Sequence, residues 1–129
     1  MNILIVAAHP DDEVLGCGGT IARYAQEGHD IHILILGDGI TSRYADQSQA
    51  QTSELESLHA QSQAVGNLLG AKNVSLHGLT DNRFDTVPLL DIVRVIEAKI
   101  QKFNPEIVYT QHGGDLNIDH ERTFRAVLT

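Results

Sequence analysis

A chain of 129 residues has the length of one domain and is long enough to bury a core without disulfides or structural metals. Apolar residues make up 42% and charged residues 20%, which is typical of a globular protein and argues against a disordered or collagen-like chain. The 17 acidic residues outnumber the 9 basic ones, giving a formal charge of −8, which argues against nucleic acid or an anionic membrane surface as a partner.

The single cysteine and the N-terminal residues indicate the compartment. Cys17 has no second cysteine with which to form an internal disulfide, which fits a reducing environment. Residues 1–10 lack a basic region, and their apolar run is too short for a secretory signal. No apolar stretch approaches the roughly 20 residues that span a bilayer. We therefore expect a cytoplasmic protein with a single domain over residues 1–129.

The first half of the chain alternates between apolar runs and helical patterns. Residues 3–8 are continuously apolar, which predicts a strand buried on both faces. A helix is predicted over residues 14–26, and an isoleucine-rich run predicts a second buried strand over residues 31–36. Residues 37–51 are polar and predict a long loop, and loops of this length inside compact domains are often functional. Helical periodicity covers residues 52–69 and ends before a glycine.

The second half of the chain repeats the alternation. A short strand is predicted over residues 73–76, followed by a loop over residues 77–86. A helix over residues 87–103 is stopped by an Asn-Pro pair. A fourth strand is predicted over residues 106–110. A loop over residues 111–118 then leads to a last helix, which begins at Asp119 and continues to the end of the chain.

Strands separated by helices predict a Rossmann-like α/β fold, in which helices cover both faces of a parallel sheet. We expect the strand order 3-2-1-4. In such sheets the ligand binds outside the carboxyl ends of the strands, where the strand order reverses. For this order the reversal lies between strands 1 and 4, so the loops over residues 9–13 and 111–120 are predicted to form the site.

These two loops contain the densest polar clusters in the chain. The first reads His9-Pro10-Asp11-Asp12-Glu13, and the second runs from His112 to His120. Imidazole and carboxylate groups are the ligands of catalytic Zn²⁺, usually three of them with one position left open. His9 and Asp12 are three residues apart at a strand-to-helix turn, so both can face one point, and one His of the second loop would complete the set. Asp11 points elsewhere and is available as a base.

Each loop also has an ordinary interpretation. Paired aspartates before a helix are a common N-terminal cap, and a single His near a strand end is usually a surface or core residue. The meeting of both loops at the predicted crevice is what favours a metal site. Gly-rich residues 16–19 lack the full spacing of a dinucleotide fingerprint, and the acidic loop before them would repel a pyrophosphate. A nucleotide-binding domain without metal is nevertheless one alternative.

The motifs resemble those of a known family. His9-Pro10-Asp11-Asp12-Glu13 after the first strand, with the Gly-rich segment that follows, is similar to the signature of the LmbE-like, or PIG-L, zinc-dependent N-deacetylases. Asp119-His120 is similar to the end of the second motif of that family, and residues 81–85 resemble another common stretch. The resemblance runs through the whole chain.

The resemblance implies a function and a set of ligands. It implies hydrolysis of the N-acetyl group of an N-acetylglucosamine-type sugar or glycoconjugate, with release of acetate and a free amino sugar. The matching positions imply that His9, Asp12 and His120 bind one Zn²⁺ per chain, with another divalent ion as the alternative. Asp11 matches the general base.

The resemblance also implies supporting residues. Asp119 matches an acidic position expected to orient the neighbouring His120. Asn117 stands where many members have a His that stabilises the oxyanion, and His112 is the alternative for that role. Arg43 and Arg83 resemble loop positions that hold substrate hydroxyls or a phosphate, and surface salt bridges are their alternative.

Family members are normally longer than this chain, so we expect it to be incomplete at the C-terminus relative to the family. An exposed sheet edge or apolar face would then favour homo-oligomers. The expected partner is a small amino-sugar or glycoconjugate substrate. The main alternative function is a metal- or sugar-binding fragment that folds but lacks a complete pocket.

Overall fold

A computed structural model of the protein describes residues 1–40 and 52–129. Strands and helices alternate along it, in the order β1 (Asn2–Ala7), α1 (Asp12–Gln26), β2 (Asp30–Gly37), α2 (Thr52–Leu69), β3 (Asn73–Leu79), α3 (Leu89–Phe103), β4 (Ile107–Thr110) and α4 (Ile118–Leu128). The strands pair in parallel in the order β3-β2-β1-β4. The predicted α/β fold and strand order are therefore confirmed.

Alternate side chains of the strands enter two separate cores, one on each face of the sheet. The core on the side of α3 and α4 contains Leu4, Val6, Leu34, Leu36, Phe84, Ile92, Ile96 and Ala126. The core on the side of α1 contains Ile3, Ile5, Ile21, Ile31, Ile33, Ile35 and Val74. A sheet buried on both faces needs apolar residues at successive positions, which explains the continuous apolar runs of β1 and β2.

Helix boundaries differ from the predicted ones by one or two residues. α1 begins at Asp12 instead of residue 14, directly after the turn that follows β1. α3 begins at Leu89 instead of residue 87, because Pro88 has an extended ψ of 132° and stands before the helix as its cap. α4 begins at Ile118, because the side chain of Asn117 accepts the first free N–H groups of the helix.

β3 is longer than the sequence predicts. It continues to Leu79, whereas residues 77–79 were expected to lie in a loop. The extension pairs with β2 across an irregularity in register, where Gly37 stands opposite Leu79. The predicted loop also contains a short 3-10 turn, Phe84–Thr86, whose Phe84 is fully buried.

The order of the strands positions the site. β1 lies between β2 and β4, so the turn after Ala7 and the loop after Thr110 leave the sheet side by side at its carboxyl edge. Among residues 1–40 and 52–129, no helix is both long and apolar enough to cross a bilayer.

Candidate metal centre

The turn between β1 and α1 brings His9 and Asp12 together. The backbone N–H of Asp12 donates to the His9 carbonyl at 3.2 Å, and the backbone N–H of His9 donates to Asp12 Oδ2 at 3.0 Å. These two bonds fix both residues in one tight turn. His9 Nδ1 consequently lies 3.4 Å from Asp12 Oδ2.

The loop after β4 and the start of α4 bring His120 to the same carboxylate. Asn117 Oδ1 accepts the backbone N–H groups of Asp119 and His120, at 2.9 and 3.3 Å, which fixes the first turn of the helix. His120 Nε2 then lies 3.1 Å from Asp12 Oδ2. The Gln111 amide donates to the same oxygen at 3.0 Å.

The structure therefore gathers the three predicted ligands. The ligand atoms of His9, Asp12 and His120 lie within 4.8 Å of one another. Two imidazoles and one carboxylate are a donor set of catalytic Zn²⁺. The residues present thus fit the ion that the sequence led us to expect.

Each imidazole also contacts a second carboxylate, through the ring nitrogen that does not face Asp12. His9 Nε2 contacts Asp119 Oδ2 at 2.7 Å and Asp81 Oδ1 at 3.1 Å. His120 Nδ1 contacts Asp115 Oδ2 at 2.7 Å. Each ring thus has one nitrogen facing Asp12 and the other on a carboxylate, as is usual for metal-binding histidines.

The placement of Asp119 differs from what the sequence led us to expect. Its carboxylate contacts His9, and the carboxylate on the neighbouring His120 is that of Asp115. Successive side chains on a helix point about 100° apart, so Asp119 and His120 face different directions. The contacts of Asp115 and Asp81 were not predicted, although Asp81 opens the family-like stretch and Asp115 lies in the second polar loop.

Asp119 is also the connection between the site and the loop after β3. Its side chain is fully buried. The backbone N–H of Asn82 donates to Asp119 Oδ2 at 2.7 Å, and that of Phe84 donates to Oδ1 at 3.0 Å. The Asp119 carboxylate thereby contacts His9 and also holds the loop after β3, whose Phe84 is part of the hydrophobic core.

The electrostatics of the site favour a cation. Burial alone lowers the pKa of His9, but its hydrogen bonds to Asp119 and Asp12 exceed that effect and raise the pKa to about 9. Burial likewise disfavours the charged form of Asp12, yet the hydrogen bonds from His9 hold the pKa of this carboxyl below its usual range. Carboxylates so arranged stabilise positive charge between them, whether on an imidazole or on a metal ion.

Asp11 directly precedes Asp12, in the turn between β1 and α1. It is exposed, and its backbone has the left-handed φ of 90°. Although it occupies the cap position of α1, its side chain makes no capping hydrogen bond. It lines an open cleft of about 590 Å³, together with Ile40 and residues of the first turns of α2.

The other predicted residues have varied surroundings. Asn117 uses its side-chain oxygen to cap α4. His112 is exposed and lines a smaller cleft of about 260 Å³ with Asp12 and Asp115. Arg83 is exposed before the 3-10 turn, and Arg43 lies outside the described residues.

Residues 4–129 match the family described as PIG-L: GlcNAc-PI de-N-acetylase. The chain is 32% identical over 145 residues to the 1D-myo-inositol 2-acetamido-2-deoxy-alpha-D-glucopyranoside deacetylase of Rhodococcus erythropolis. That match covers 92% of this chain and 49% of the relative.

Two solved structures show the same fold. The N,N'-diacetylchitobiose deacetylase of Pyrococcus horikoshii superposes with a TM-score of 0.83 at 22% identity, over 98% of this chain and 48% of that one. The 4-carboxy-2-hydroxymuconate hydratase GalB of Pseudomonas putida KT2440 superposes with a TM-score of 0.81 at 22% identity, over 98% and 54%. A deacetylase and a hydratase share the fold, so the fold alone does not fix the reaction. The chain spans about half the length of these three proteins.

Proposed function

The chain belongs to the PIG-L family, and from that premise we propose that it is a zinc-dependent deacetylase. The proposed reaction is hydrolysis of the N-acetyl group of an N-acetylglucosamine-type sugar or glycoconjugate, which releases acetate and a free amino sugar. The observation that carries the proposal is the convergence of His9, Asp12 and His120, with a carboxylate behind each imidazole. The proposed cofactor is one Zn²⁺ per chain, held by these three residues, and another divalent ion is the alternative.

When bound, the ion supplies Lewis acidity, which makes water more acidic and polarises an amide carbonyl. Asp11 is proposed as the base, because its carboxylate is exposed at the cleft and is not used to cap α1. Asp11 takes a proton from the attacking water as the water oxygen bonds to the amide carbon. It then returns the proton to the nitrogen as the C–N bond breaks, and acetate and the amine leave.

The remaining proposed roles are stabilisation of the oxyanion and contacts to the substrate. The oxyanion needs a hydrogen-bond donor, and Asn117 retains its amide NH₂ for this purpose, since only its oxygen caps α4. His112 is the alternative donor. We propose Arg83 and Arg43 as contacts for substrate hydroxyls or a phosphate, because a guanidinium group presents a planar fork of donors.

The test is acetate release from a panel of N-acetylglucosamine conjugates, on purified protein whose zinc content has been measured. We expect about one zinc per chain, with turnover. His120→Ala should lose both zinc and activity. Asp11→Asn should keep zinc and lose about 100-fold or more in kcat, as expected for removal of a general base. Asp30→Asn, at the opposite edge of the sheet, is the matched control and should change neither.

A second candidate function is binding of metal or sugar without turnover. The observation that favours it is that the donor set of His9, Asp12 and His120 is sufficient by itself to bind a metal ion, whether or not turnover follows. Stoichiometric zinc without acetate release from any conjugate would support this candidate and contradict the deacetylase. Protein that binds neither zinc nor another divalent ion would refute the metal-dependent deacetylase, and protein that in addition binds no sugar would refute both candidates. Self-association stays a prediction, and light scattering on the same preparation tests it.

A further inference from the structure

A second cleft reaches the candidate metal centre from the face of the sheet that α1 covers. It has a volume of about 260 Å³ and shares no lining residue with the larger cleft beside Asp11. β1 and β4 form its floor, where Ile5 stands opposite Tyr109, and α1 forms its wall. Because α1 begins at Asp12 and runs back along β1, the cleft extends from that candidate ligand to the level of Ile5. The proposed function assigns it no occupant.

The two ends of this cleft differ in polarity. The end at the metal centre is polar, since Gln111 donates to Asp12 Oδ2 there and the exposed side chains of His112 and Asp115 line it as well. The other end is lined by residues that belong to the hydrophobic core on the α1 side or pack against it, namely Ile5, Cys17 and Tyr109. A ligand that fits this cleft has a polar group near the metal centre and an apolar tail.

Gly16 leaves the wall of the cleft open. It is an exposed residue in the interior of α1, where glycine is less favourable than any residue except proline. A Cβ placed on Gly16 would meet no atom within 4 Å among residues 1–40 and 52–129, so packing within this part of the chain does not require a glycine. The missing side chain leaves room in the cleft for a ligand.

We propose that this cleft binds the acyl chain of the substrate, and that the enzyme hydrolyses N-propionyl and N-butyryl groups as well as N-acetyl groups. The inference rests on the proposed function and names the acyl groups on which it acts. Hydrolysis of an N-butyryl group consumes one water and releases butyrate and the same free amino sugar, so Asp11 moves the same proton as in deacetylation.

The two clefts match the two sides of an amide. The carbonyl carbon carries the acyl chain on one side and the nitrogen of the sugar on the other. The larger cleft beside Asp11 is lined by hydroxyl and amide groups, including Ser57 and Gln61, which suit a sugar. The smaller cleft, with its apolar far end, suits the acyl chain. An acetyl group extends only one methyl group beyond the carbonyl, whereas a butyryl chain adds two methylenes in the direction of Ile5.

The first experiment compares N-butyryl- and N-acetylglucosamine conjugates that are otherwise identical, on the zinc-loaded protein. Burial of one methylene strengthens binding up to about fourfold, so KM for the N-butyryl conjugate should be about 4- to 15-fold lower, with kcat within about threefold. Gly16→Leu fills the cleft and should lower the ratio of kcat/KM, N-butyryl over N-acetyl, by about tenfold or more. A wild-type kcat/KM for the N-butyryl conjugate below a tenth of the N-acetyl value would overturn the inference.

Gly19→Leu is the matched control. Gly19 lies three residues further along α1, faces a different hollow, and likewise has no atom of the described residues within 4 Å of an added Cβ. The kcat/KM ratio of this variant should equal that of wild type. Equal ratios in the Gly16→Leu and Gly19→Leu variants would overturn the inference.

The second experiment needs no turnover and uses Cys17 as a probe. Cys17 is the single cysteine of the chain and lines the cleft. Butyramide should slow its alkylation by N-ethylmaleimide at least threefold more than an equal concentration of acetamide, and Gly16→Leu should remove this difference. Equal protection by the two amides, or none by either, would overturn the inference. If wild type releases no acetate, the proposed function fails, and the alkylation rates decide whether the cleft binds an acyl chain.

Discussion

Replacing Asp119 by Asn removes one charge from the centre of the site with almost no change in shape. Asp119 is fully buried, and its two oxygens accept the backbone N–H groups of Asn82 and Phe84 and contact His9 Nε2. The substitution leaves no cavity. Any loss of stability therefore comes from hydrogen bonds and charge.

The magnitude follows from the number of acceptors. Asparagine has one oxygen where aspartate has two, so an NH₂ group must face either Asn82 N–H or Phe84 N–H. A hydrogen bond to a charged group contributes about 1.5–3 kcal/mol, and an unsatisfied buried donor costs about 1–3 kcal/mol. Together with the lost contact to His9, we expect a loss of about 3–5 kcal/mol in the free energy of unfolding. Small domains have only about 5–15 kcal/mol in total.

The assay is urea unfolding of the metal-free protein at pH 7, followed by circular dichroism. Asp115→Asn is the matched control, because Asp115 also contacts an imidazole but its side chain is 39% exposed. Exposed ion pairs contribute about 0–1 kcal/mol, so the control should lose less than about 1 kcal/mol. If Asp119→Asn lost no more than the control, the buried carboxylate would not hold the loop after β3, and the reasoning would be refuted.

Asp115→Asn should nevertheless weaken zinc affinity by about 10- to 100-fold, because it removes the carboxylate that contacts the His120 imidazole. Competition with a chelator measures the affinity, and an unchanged value would contradict the prediction. Gly37→Ala should cost about 1–3 kcal/mol in urea unfolding, because the added Cβ would lie 2.8 Å from a backbone oxygen and 2.9 Å from a buried ring. The control Gly19→Ala meets nothing within 4 Å and should gain about 0.5–1 kcal/mol, so similar effects at both glycines would count against the packing argument. Burial lowers the pKa of His32 in the folded chain, so the unfolded chain takes up the proton first as the pH falls. The stability that His32 contributes is therefore present above pH 6.5 and is lost as the pH falls below it. We expect His32→Phe to flatten the pH dependence of the free energy of unfolding, whereas His77→Gln, at an exposed histidine, should leave it unchanged. Identical pH profiles for the wild type and both variants would refute the assignment.

The sheet was predictable because each buried strand is a short, continuous run of apolar residues in the sequence. A strand covered on both faces must be apolar at successive positions, and β1 and β2 satisfy this condition in a way that few loops do. The end of β3 was not predictable in the same way. Residues 77–79 include an exposed His and a Gly with φ of 82°, and they join the sheet only through pairing opposite Gly37.

The meeting of the three candidate ligands was predictable from the motifs, whereas the carboxylates that contact their imidazoles were not. A motif identifies His120 and its neighbour Asp119, but it does not say in which direction each side chain leaves the helix. The cap at Asn117 sets the start of α4 and hence those directions. That is why Asp119 lies on His9, while Asp115, from the loop before the helix, lies on His120.

The site is formed partly by contacts within one turn and partly by contacts between residues far apart in the sequence. The bonds between His9 and Asp12 are local, since the residues are three apart in one turn. The contact between His9 and Asp119 joins residues 110 positions apart, and it exists only because β4 lies beside β1 in the sheet. The turn can therefore bring two candidate ligands together by itself, but the third candidate ligand and the Asp119 carboxylate on His9 depend on the strand order. It follows that a substitution that loosens the β1–β4 edge should weaken metal binding even if it touches none of the ligands.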